Sequence, residues 1–344
     1  MRIAAIGVGH WHSLYDAAYL KNLVRMPEAR LIAVQDADAA ILASRAAELG
    51  NPATYLDYRE MLATERPDFV IVLGRHSDMA AAAHHLLDEG YPFLVEKPAG
   101  INAAEVRSLS DKAAAKGVFA AVPLFQRLHP FVAHARLMLA ENGFGPLSHF
   151  YFRSNRPTSE RYVAWGAEWM LDPAIAGGGC LRNIGLHGID AFLYLTGEDA
   201  EVGGAQLSSR ALGKRVEDFA TLLLRTASGV LGTIEDGNTF PGKGADAEWK
   251  LSGRDALLVQ REDGVRLISA TGEEVVAGPL SEPLPVLALR DALARWQRGE
   301  PPAAGLEDCY RAMRLVDDAY KLASQCAASD AHAPKPKRYF GPKK

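Results

Sequence analysis

The sequence predicts an α/β protein with two domains, a doubly wound parallel sheet followed by an α+β domain with a meandering, mostly antiparallel sheet. A length of 344 residues exceeds what one ordinary core accommodates. Residues 1–122 alternate short apolar runs with alanine-rich segments, which is typical of a parallel sheet covered by helices on both faces. After Pro130, strands follow one another across turns, which is typical of antiparallel hairpins.

The first domain, residues 1–122, contains compact β-branched or aromatic runs separated by segments long enough to be crossover helices. The predicted strands are Ile3–Ile6, Leu31–Gln35, Phe69–Leu73, Phe93–Glu96 and Val118–Val122. The predicted helices are Ala39–Leu49, Asp78–Glu89 and Ala103–Lys116.

The second domain, residues 123–325, begins with a helix and continues mainly as strands. The predicted elements are the helix Phe131–Glu141 and the strands Leu147–Arg153, Ala220–Arg225, Val230–Glu235 and Glu248–Ser252. Two further helices, Val286–Arg298 and Leu306–Ser324, are expected to pack back on the first domain. Residues 326–344 form a basic tail that we interpret as a frayed terminus.

Composition places the chain among ordinary globular proteins, with 48% apolar residues, 23% charged residues and a formal net charge of -4. This balance favours neither nucleic acid nor an anionic membrane as a partner. Cys180, Cys309 and Cys326 are odd in number and lack CxxC spacing, which argues against a disulfide framework. With no signal peptide and no long apolar run, a cytoplasmic protein is expected.

Four histidines could be considered as metal ligands. Two lie at positions 10 and 12 of the first turn, and two lie at positions 84 and 85 of a predicted helix. No carboxylate or cysteine pattern completes a ligand set, and adjacent histidines on a helix point in different directions. The sequence therefore predicts no metal site.

The opening stretch MRIAAIGVGHWH ends a predicted strand in Gly7 and Gly9. In a parallel sheet, ligands bind outside the carboxyl ends of the strands, where the first strand turns into its helix. A Gly-x-Gly turn lets the backbone approach a pyrophosphate, and the helix that follows directs its N-terminal dipole at the negative charge. His10, Trp11 and His12 belong to the same turn, with His12 in place of the usual third glycine.

Asp36 follows the second predicted strand, near the spacing expected of a carboxylate that accepts both ribose hydroxyls. The alternative is a tight turn followed by an aspartate that caps the Ala39 helix. The alternating topology favours a dinucleotide site over that alternative. Asp36 and Asp38 would also repel a 2'-phosphate, so NAD is expected rather than NADP.

Glu96-Lys97-Pro98 lies at the carboxyl end of another parallel strand. On its own this tripeptide is an ordinary strand exit. Its position brings Lys97 to the same sheet edge as the glycine turn, where the nicotinamide end of a dinucleotide would lie. We therefore interpret Lys97 as a functional residue and expect both Glu96 and Lys97 to contact the cofactor.

A second cluster reads GGGCLRNIGLHGID, residues 177–190. Three glycines lead into a predicted helix that extends to Leu195, and at 3.6 residues per turn Asn183, His187, Asp190 and Tyr194 share one stripe. The alternative is an amphipathic helix with a solvated face. The stripe lacks lysine and glutamate, and the glycines indicate a backbone pressed against a neighbour, so a functional face is favoured.

Together, the amino-terminal GVG turn, EKP after a strand, and GGG followed by N-x-x-x-H-x-x-D resemble the Gfo/Idh/MocA oxidoreductases over residues 1–325. The resemblance implies a Rossmann domain that binds NAD(P), and a second domain whose large open sheet often forms a subunit interface. A homodimer or homotetramer is therefore expected. The family's substrates are mostly sugars, inositols, related polyols and their acids.

The resemblance places the family's catalytic lysine at Lys97 and its motif histidine at His187. The family more often has aspartate where this chain has Asn183, and an amide orients a hydroxyl without taking its proton. His187 is therefore expected to accept the proton of a secondary alcohol, with Lys97 stabilising the developing alkoxide.

Residues before the glycine-led helix are candidates for the substrate pocket. Arg156 and Trp165 could contact a sugar's hydroxyls or carboxylate and its apolar face, although core packing explains a tryptophan equally well. Arg127, together with Gln126, follows the last strand of the first domain, where the family often has a polar pair.

Three functions remain open on this scaffold. The first is an NAD-dependent sugar or polyol dehydrogenase. The second is a glycosidase or lyase that oxidises its substrate transiently with bound NAD. The third is a non-catalytic dinucleotide or sugar sensor, which the asparagine at position 183 keeps open.

Overall fold

The computed structural model describes residues 1–330 except Glu262, and its first domain is built on a parallel sheet. The six strands are β1 (Arg2–Ile6), β2 (Arg30–Gln35), β3 (Ala53–Tyr55), β4 (Phe69–Val72), β5 (Phe93–Val95) and β6 (Ala120–Ala121). Their order is β3-β2-β1-β4-β5-β6. The direction of winding reverses between β1 and β4, and such a switch point opens a crevice at the carboxyl ends of both strands.

Helices cover both faces of this sheet: α1 (Tyr19–Leu23), α2 (Ala39–Glu48), α3 (Tyr58–Glu65), α4 (His76–Glu89) and α5 (Ala103–Lys116). Asp38 caps α2 by accepting from the amides of Ala40 and Ile41. Every residue of β4 is buried, as expected of a central parallel strand. The predicted doubly wound architecture is confirmed.

The second domain contains an eight-stranded sheet. Its strands are β7 (Leu147–Pro157), β8 (Ala200–Ser208), β9 (Phe219–Thr226), β10 (Leu231–Phe240), β11 (Asp246–Gly253), β12 (Ala256–Arg261), β13 (Gly264–Ser269) and β14 (Gly272–Ala277). The order is β14-β13-β12-β11-β7-β10-β9-β8, antiparallel within the described residues except where β7 pairs with β10. The predicted mostly antiparallel sheet is confirmed, and the alternating burial along β9 leaves one face open.

The remaining helices are α6 (Pro130–Ala140), α7 (Glu160–Ala164), α8 (Pro173–Ala176), α9 (Leu186–Thr196), α10 (Leu284–Arg298) and α11 (Leu306–Asp330). Leu289 and Leu293 of α10 join the apolar cluster that contains Ile3 and Leu20 of the first domain. Helix α11 lies against α5, where Glu307 accepts from the Ser110 hydroxyl. Of the predicted basic tail, residues 331–344 lie outside the described residues, and α11 continues through 330.

The predicted glycine-led helix begins with a π-helical turn, Leu181–Gly185, before α9 continues regularly. Glu217 caps this start by accepting from the amides of Gly179 and Leu181. A side chain at Gly179 would lie 2.2 Å from the Glu217 carbonyl oxygen, so only glycine fits. The whole segment from 181 to 193 is buried, and it is therefore not the amphipathic surface helix that was the alternative.

Among the described residues, no helix is both long enough and apolar enough to cross a membrane.

Candidate functional site

A cleft of about 580 Å³, the cofactor cleft, lies along the carboxyl ends of β1, β2 and β4 and includes Gly7, Gly9, His10 and Asp36. Gly7 has φ +69°, and a side chain there would lie 2.5 Å from the Gly74 Cα at the end of β4. The two strand ends at the switch point therefore approach closely. The Gly9 amide donates to Asp36 Oδ2 at 2.7 Å, so the turn and the carboxylate meet as the spacing predicts.

The polar groups of this cleft fit a dinucleotide. Asp36 projects from the end of β2, where it also accepts from the Asp38 amide. His10 accepts from the His12 amide at Nδ1, and burial holds the pKa of His10 well below its usual value, so Nε2 carries the proton. That donor is buried without an acceptor among the described residues, as expected where a polar ligand completes the contact.

A second cavity, of about 360 Å³, lies between the domains and is called the interdomain pocket. Its polar lining comes from both domains: His12, Asp16, Lys97, Gln126, Ser154, Arg156, Asn183 and His187. Lys97 follows β5, whereas Asn183 lies in the π turn and His187 in the first turn of α9. The predicted catalytic residues therefore share one cavity.

Lys97 and Asn183 contact each other directly. Lys97 Nζ donates to the backbone oxygen of Asn183 at 2.9 Å and also to its Oδ1. Asn183 Nδ2 donates to the Tyr162 hydroxyl at 2.7 Å, which fixes the orientation of the amide. Burial lowers the pKa of Lys97 despite the nearby Glu96 carboxylate.

His187 is buried in the same pocket, with its ring 4.4 Å from the Phe125 ring. Burial, and then the charge of Lys97, holds the pKa of His187 well below its usual value. The imidazole is therefore neutral at pH 7 and can accept a hydrogen bond or a proton. The next residue, Gly188, lets Phe152 pack against the backbone of α9, because a side chain there would lie 2.4 Å from the Phe152 ring.

A chain of alternating charges runs along one wall of the pocket. His12 Nδ1 lies 3.3 Å from Glu96 and Nε2 lies 3.5 Å from Asp16. Burial alone would lower the pKa of His12, but Glu96 and Asp16 raise it. Arg156 of β7 donates to both oxygens of Asp16 at 2.9 Å, which ties the second domain to the first.

An aromatic cluster lies beside the cofactor cleft, which Trp169 helps to line. Trp11, Tyr162 and Trp169 form its center, with Trp11 and Tyr162 ring centroids 5.3 Å apart and Trp11 and Trp169 5.7 Å apart. His76, the first residue of α4, packs edge-on against Trp169 and donates from Nδ1 to the Ala176 oxygen at 2.9 Å. Burial lowers the pKa of His76 to about 3.

The structure does not bring two of the predicted substrate residues to the interdomain pocket. Arg127 is ion-paired with Asp190 at 2.6 Å and with Asp308 at 2.8 Å, and its guanidinium lies over the Tyr194 ring. Trp165 stacks on Tyr15 in the aromatic cluster. The predicted polar stripe therefore splits, since Asn183 and His187 line the pocket while Asp190 meets Arg127.

Three residues that contact the predicted site were missed. Asp16 could have been found from its i,i+4 spacing to His12, although helical spacing on its own is a weak signal. Tyr162 and His76 carry no motif, since each reaches the site through contacts between distant parts of the chain.

A larger cavity of about 690 Å³ lies elsewhere, between α5, α11 and the ends of β8 and β9. Arg107, Arg311 and Arg314 are paired with carboxylates there, as where Arg311 donates to Asp199 at 3.0 Å. The described residues contain no group of three or more histidine, cysteine, aspartate or glutamate side chains arranged to hold a metal ion.

The fold and the two cavities define a dinucleotide-binding oxidoreductase with a Rossmann domain. Residues 1–123 match the oxidoreductase family with an NAD-binding Rossmann fold, and residues 132–259 match the GFO/IDH/MocA C-terminal domain. The chain belongs to the Gfo/Idh/MocA family, and it is an enzyme of that family of oxidoreductases. The resemblance seen in its sequence motifs is confirmed.

Similar proteins include a D-xylose 1-dehydrogenase (NADP(+)) of Haloferax volcanii, 26% identical over 89% of this chain and 93% of that protein. The trans-1,2-dihydrobenzene-1,2-diol dehydrogenase of Oryctolagus cuniculus is 29% identical, and the match spans 60% of each chain. A levoglucosan dehydrogenase in complex with NADH and levoglucosan superimposes with a TM-score of 0.80 at 20% identity, covering 94% of this chain and 97% of that one. This structural likeness shows the fold.

Proposed function

We propose that the protein is an NAD-dependent dehydrogenase that transfers a hydride between nicotinamide and a secondary alcohol of a sugar, inositol, related polyol or sugar acid. One observation carries the proposal: Lys97 of the first domain lies against Asn183, and His187 lines the same pocket. The names of the relatives, which act on xylose, levoglucosan and dihydrobenzenediol, support an alcohol on a small ring or chain.

The residues of the pocket suit the proton half of such a reaction. When bound, NAD supplies the hydride acceptor. Lys97 and His187 are placed to hold the reacting hydroxyl and take its proton, because burial lowers the pKa of Lys97 toward the neutral amine and His187 is neutral at pH 7. Asn183 positions Lys97, and Tyr162 of the aromatic cluster fixes Asn183 in turn.

Asp36 supports NAD over NADP. Its carboxylate, held by the Gly9 amide at the end of β2, suits the two ribose hydroxyls of NAD. A 2'-phosphate would meet the negative charges of Asp36 and Asp38, which both line the cofactor cleft.

Arg156 is the charged side chain best placed to recognise a substrate's carboxylate or hydroxyls. It lines the interdomain pocket, and its guanidinium retains nitrogens beyond the one that contacts Asp16. We therefore include sugar acids, whose carboxylate Arg156 would bind, among the proposed substrates.

A screen of sugars, inositols, polyols and sugar acids for NAD reduction near pH 9 tests the proposed function. Net formation of NADH with one class of free polyol or sugar supports it. Cleavage of aryl glycosides without net NADH would favour a glycosidase that oxidises transiently. Tight binding of NAD and a sugar without any turnover would favour a sensor, the function that Asn183 keeps open.

Self-association through the second sheet is proposed as well. Leu223 and Leu231 are about half exposed and lie on the neighbouring strands β9 and β10 of this sheet. Single exposed apolar residues are ordinary, but a cluster on an open sheet face favours an interface. Light scattering after size exclusion, with Leu223→Lys as the test variant, distinguishes a dimer or tetramer from a monomer.

A further inference from the structure

The interdomain pocket has a buried polar end and an apolar mouth. The buried end contains Lys97, Asn183 and His187, which are 3%, 5% and 6% exposed. The mouth is open to solvent, with Leu280 40% exposed and Pro283 exposed as well. A ligand that extends from one end to the other therefore meets hydrogen-bonding groups deep in the pocket and carbon atoms near its opening.

The mouth is formed by residues 278–285, which lead from β14 into α10, and by one residue that precedes β11. The side chains that line the pocket from these two parts of the chain are all apolar: Ala245, Leu280, Pro283, Leu284 and Pro285. Ser281 and Glu282 do not line the pocket, and the Glu282 carboxylate is paired with Arg290 of α10 at 2.8 Å. The segment therefore presents carbon to the pocket and its charge elsewhere.

The backbone of the mouth offers few hydrogen bonds as well. Pro283 and Pro285 have no amide hydrogen. The Pro283 oxygen already accepts from the amides of Val286 and Leu287 in the first turn of α10. A hydroxyl placed against this wall would lose water without gaining a partner, which costs free energy. An apolar group placed there is stabilised by burial instead.

The buried end suits hydroxyl groups. Lys97, Asn183 and His187 supply donors and acceptors, and Gln126 and Arg156 line the same pocket. The side-chain oxygen of Gln126 has no hydrogen-bond partner within the described residues. Because buried polar atoms are rarely left unpaired, a hydroxyl of a ligand is expected to donate to it.

We propose that the substrate is a sugar or polyol ring that carries an apolar substituent, namely an aryl or alkyl glycoside, rather than a free and fully hydroxylated sugar. The inference rests on the proposed function and narrows its substrate class. The ring places its hydroxyls at Lys97, His187 and Gln126, and the substituent packs on Leu280 and Pro283 at the mouth.

Matched pairs of glycosides test this inference. Methyl and phenyl glycosides of glucose, galactose and xylose, in both anomeric forms, are compared in NAD reduction near pH 9. The same pairs are titrated calorimetrically with and without NADH, so that the preference is measured even where no hydride is transferred. We expect the phenyl form of at least one sugar to be preferred at least about tenfold in kcat/KM or in Kd, because partial burial of an aromatic ring suffices for that ratio.

Leu280→Ser removes the apolar side chain at the mouth and should reduce this preference to about twofold or less. Leu137→Ser is the matched control, because Leu137 is 64% exposed on α6 and lines neither the cleft nor the pocket. The control should keep the preference of the parent protein. Melting temperatures establish that both variants fold.

Equal values within every methyl and phenyl pair, or no binding of any phenyl glycoside, would overturn the inference. A preference that Leu280→Ser leaves at the parent value would overturn it too, and a changed oligomeric state of that variant would then make the mouth an interface between copies of this chain.

The proposed function fails on different observations. NAD reduction with free sugars would support that function even where the phenyl group adds nothing. Preferred binding of phenyl glycosides without any NAD reduction would support the ligand class and overturn the dehydrogenase function.

Discussion

The cofactor cleft and the interdomain pocket are built by different means. Most of the cleft comes from one domain, from consecutive strand ends, glycine backbone and the Asp36 carboxylate. The pocket needs both domains, and its Lys97, Asn183 and His187 are all buried. Short-range sequence spacing therefore describes the cleft well, whereas the chemistry of the pocket depends on contacts between residues that are far apart in the chain.

The substitution Lys97→Met would test this division most strongly. We expect turnover to fall by about 10²- to 10⁴-fold, because the variant loses a proton-transferring group. The affinity for NAD should change far less, since Lys97 does not line the cofactor cleft. Steady-state kinetics and NAD titration by tryptophan fluorescence check both values. Equal losses in binding and turnover would show that the two cavities act as one site.

Arg127→Met should act on stability, because Arg127 lies outside both the cleft and the pocket. Removing it leaves Asp190 buried without its cation, which costs about 3 to 5 kcal/mol in the free energy of unfolding. Urea denaturation measures this loss, and the double variant Arg127→Met/Asp190→Leu should regain much of it. Unchanged stability with a raised substrate KM would assign Arg127 to substrate recognition, as the sequence predicted.

Asp36→Asn should affect the cleft selectively. Losing the charge weakens hydrogen bonds to the ribose hydroxyls that are worth about 1.5 to 3 kcal/mol, so the Kd for NAD should rise about 10- to 100-fold. The Kd for NADP should rise less, because one repulsion is removed. Asp38→Ser, which keeps a capping oxygen for α2, is the control. An unchanged ratio of the two Kd values would contradict the assignment of Asp36.

His76→Gln tests the packing around the aromatic cluster through the pH dependence of stability. The pKa of His76 is about 3 in the folded protein and about 6.5 unfolded, so the unfolded chain binds more protons between these values. Its contribution to stability is complete above pH 6.5 and is lost as the pH falls toward 3, by at most about 1.4 kcal/mol per pH unit. Urea denaturation at pH 7, 6 and 5 should show a shallower decline for the variant. Parallel curves would mean that His76 does not titrate in this way.

The elements that the sequence identified are those whose pattern reflects burial. Phe69–Val72 and Ala103–Lys116 lie within a residue of their predicted bounds, because an apolar run and a capped, alanine-rich segment carry their own signals. Strand β3, Ala53–Tyr55, was missed since it is short and mostly exposed. Helix α3 was missed as well, although Asp57 caps it.

The candidate site divides in the same way. Gly7, Gly9 and Asp36 meet as their spacing predicts, and the family motifs placed Lys97 and His187 in one cavity. The pairing of Asp16 with Arg156 joins residues 140 positions apart, and no local pattern encodes it. Helical periodicity placed Asp190 beside His187 in the predicted site, but Asp190 pairs with the Arg127 guanidinium outside the pocket.

The π turn at Leu181–Gly185 has a consequence for changes in chain length. Such a turn accommodates one residue more than an α-helical turn, and each residue of a regular helix rotates the next by about 100°. Deleting a single codon here would restore the ordinary winding and swing Asn183 away from Lys97, while α9 and His187 could keep their place. In a homologous sequence, a one-residue gap at this turn would therefore indicate that the lysine equivalent to Lys97 lacks the contact with the residue equivalent to Asn183.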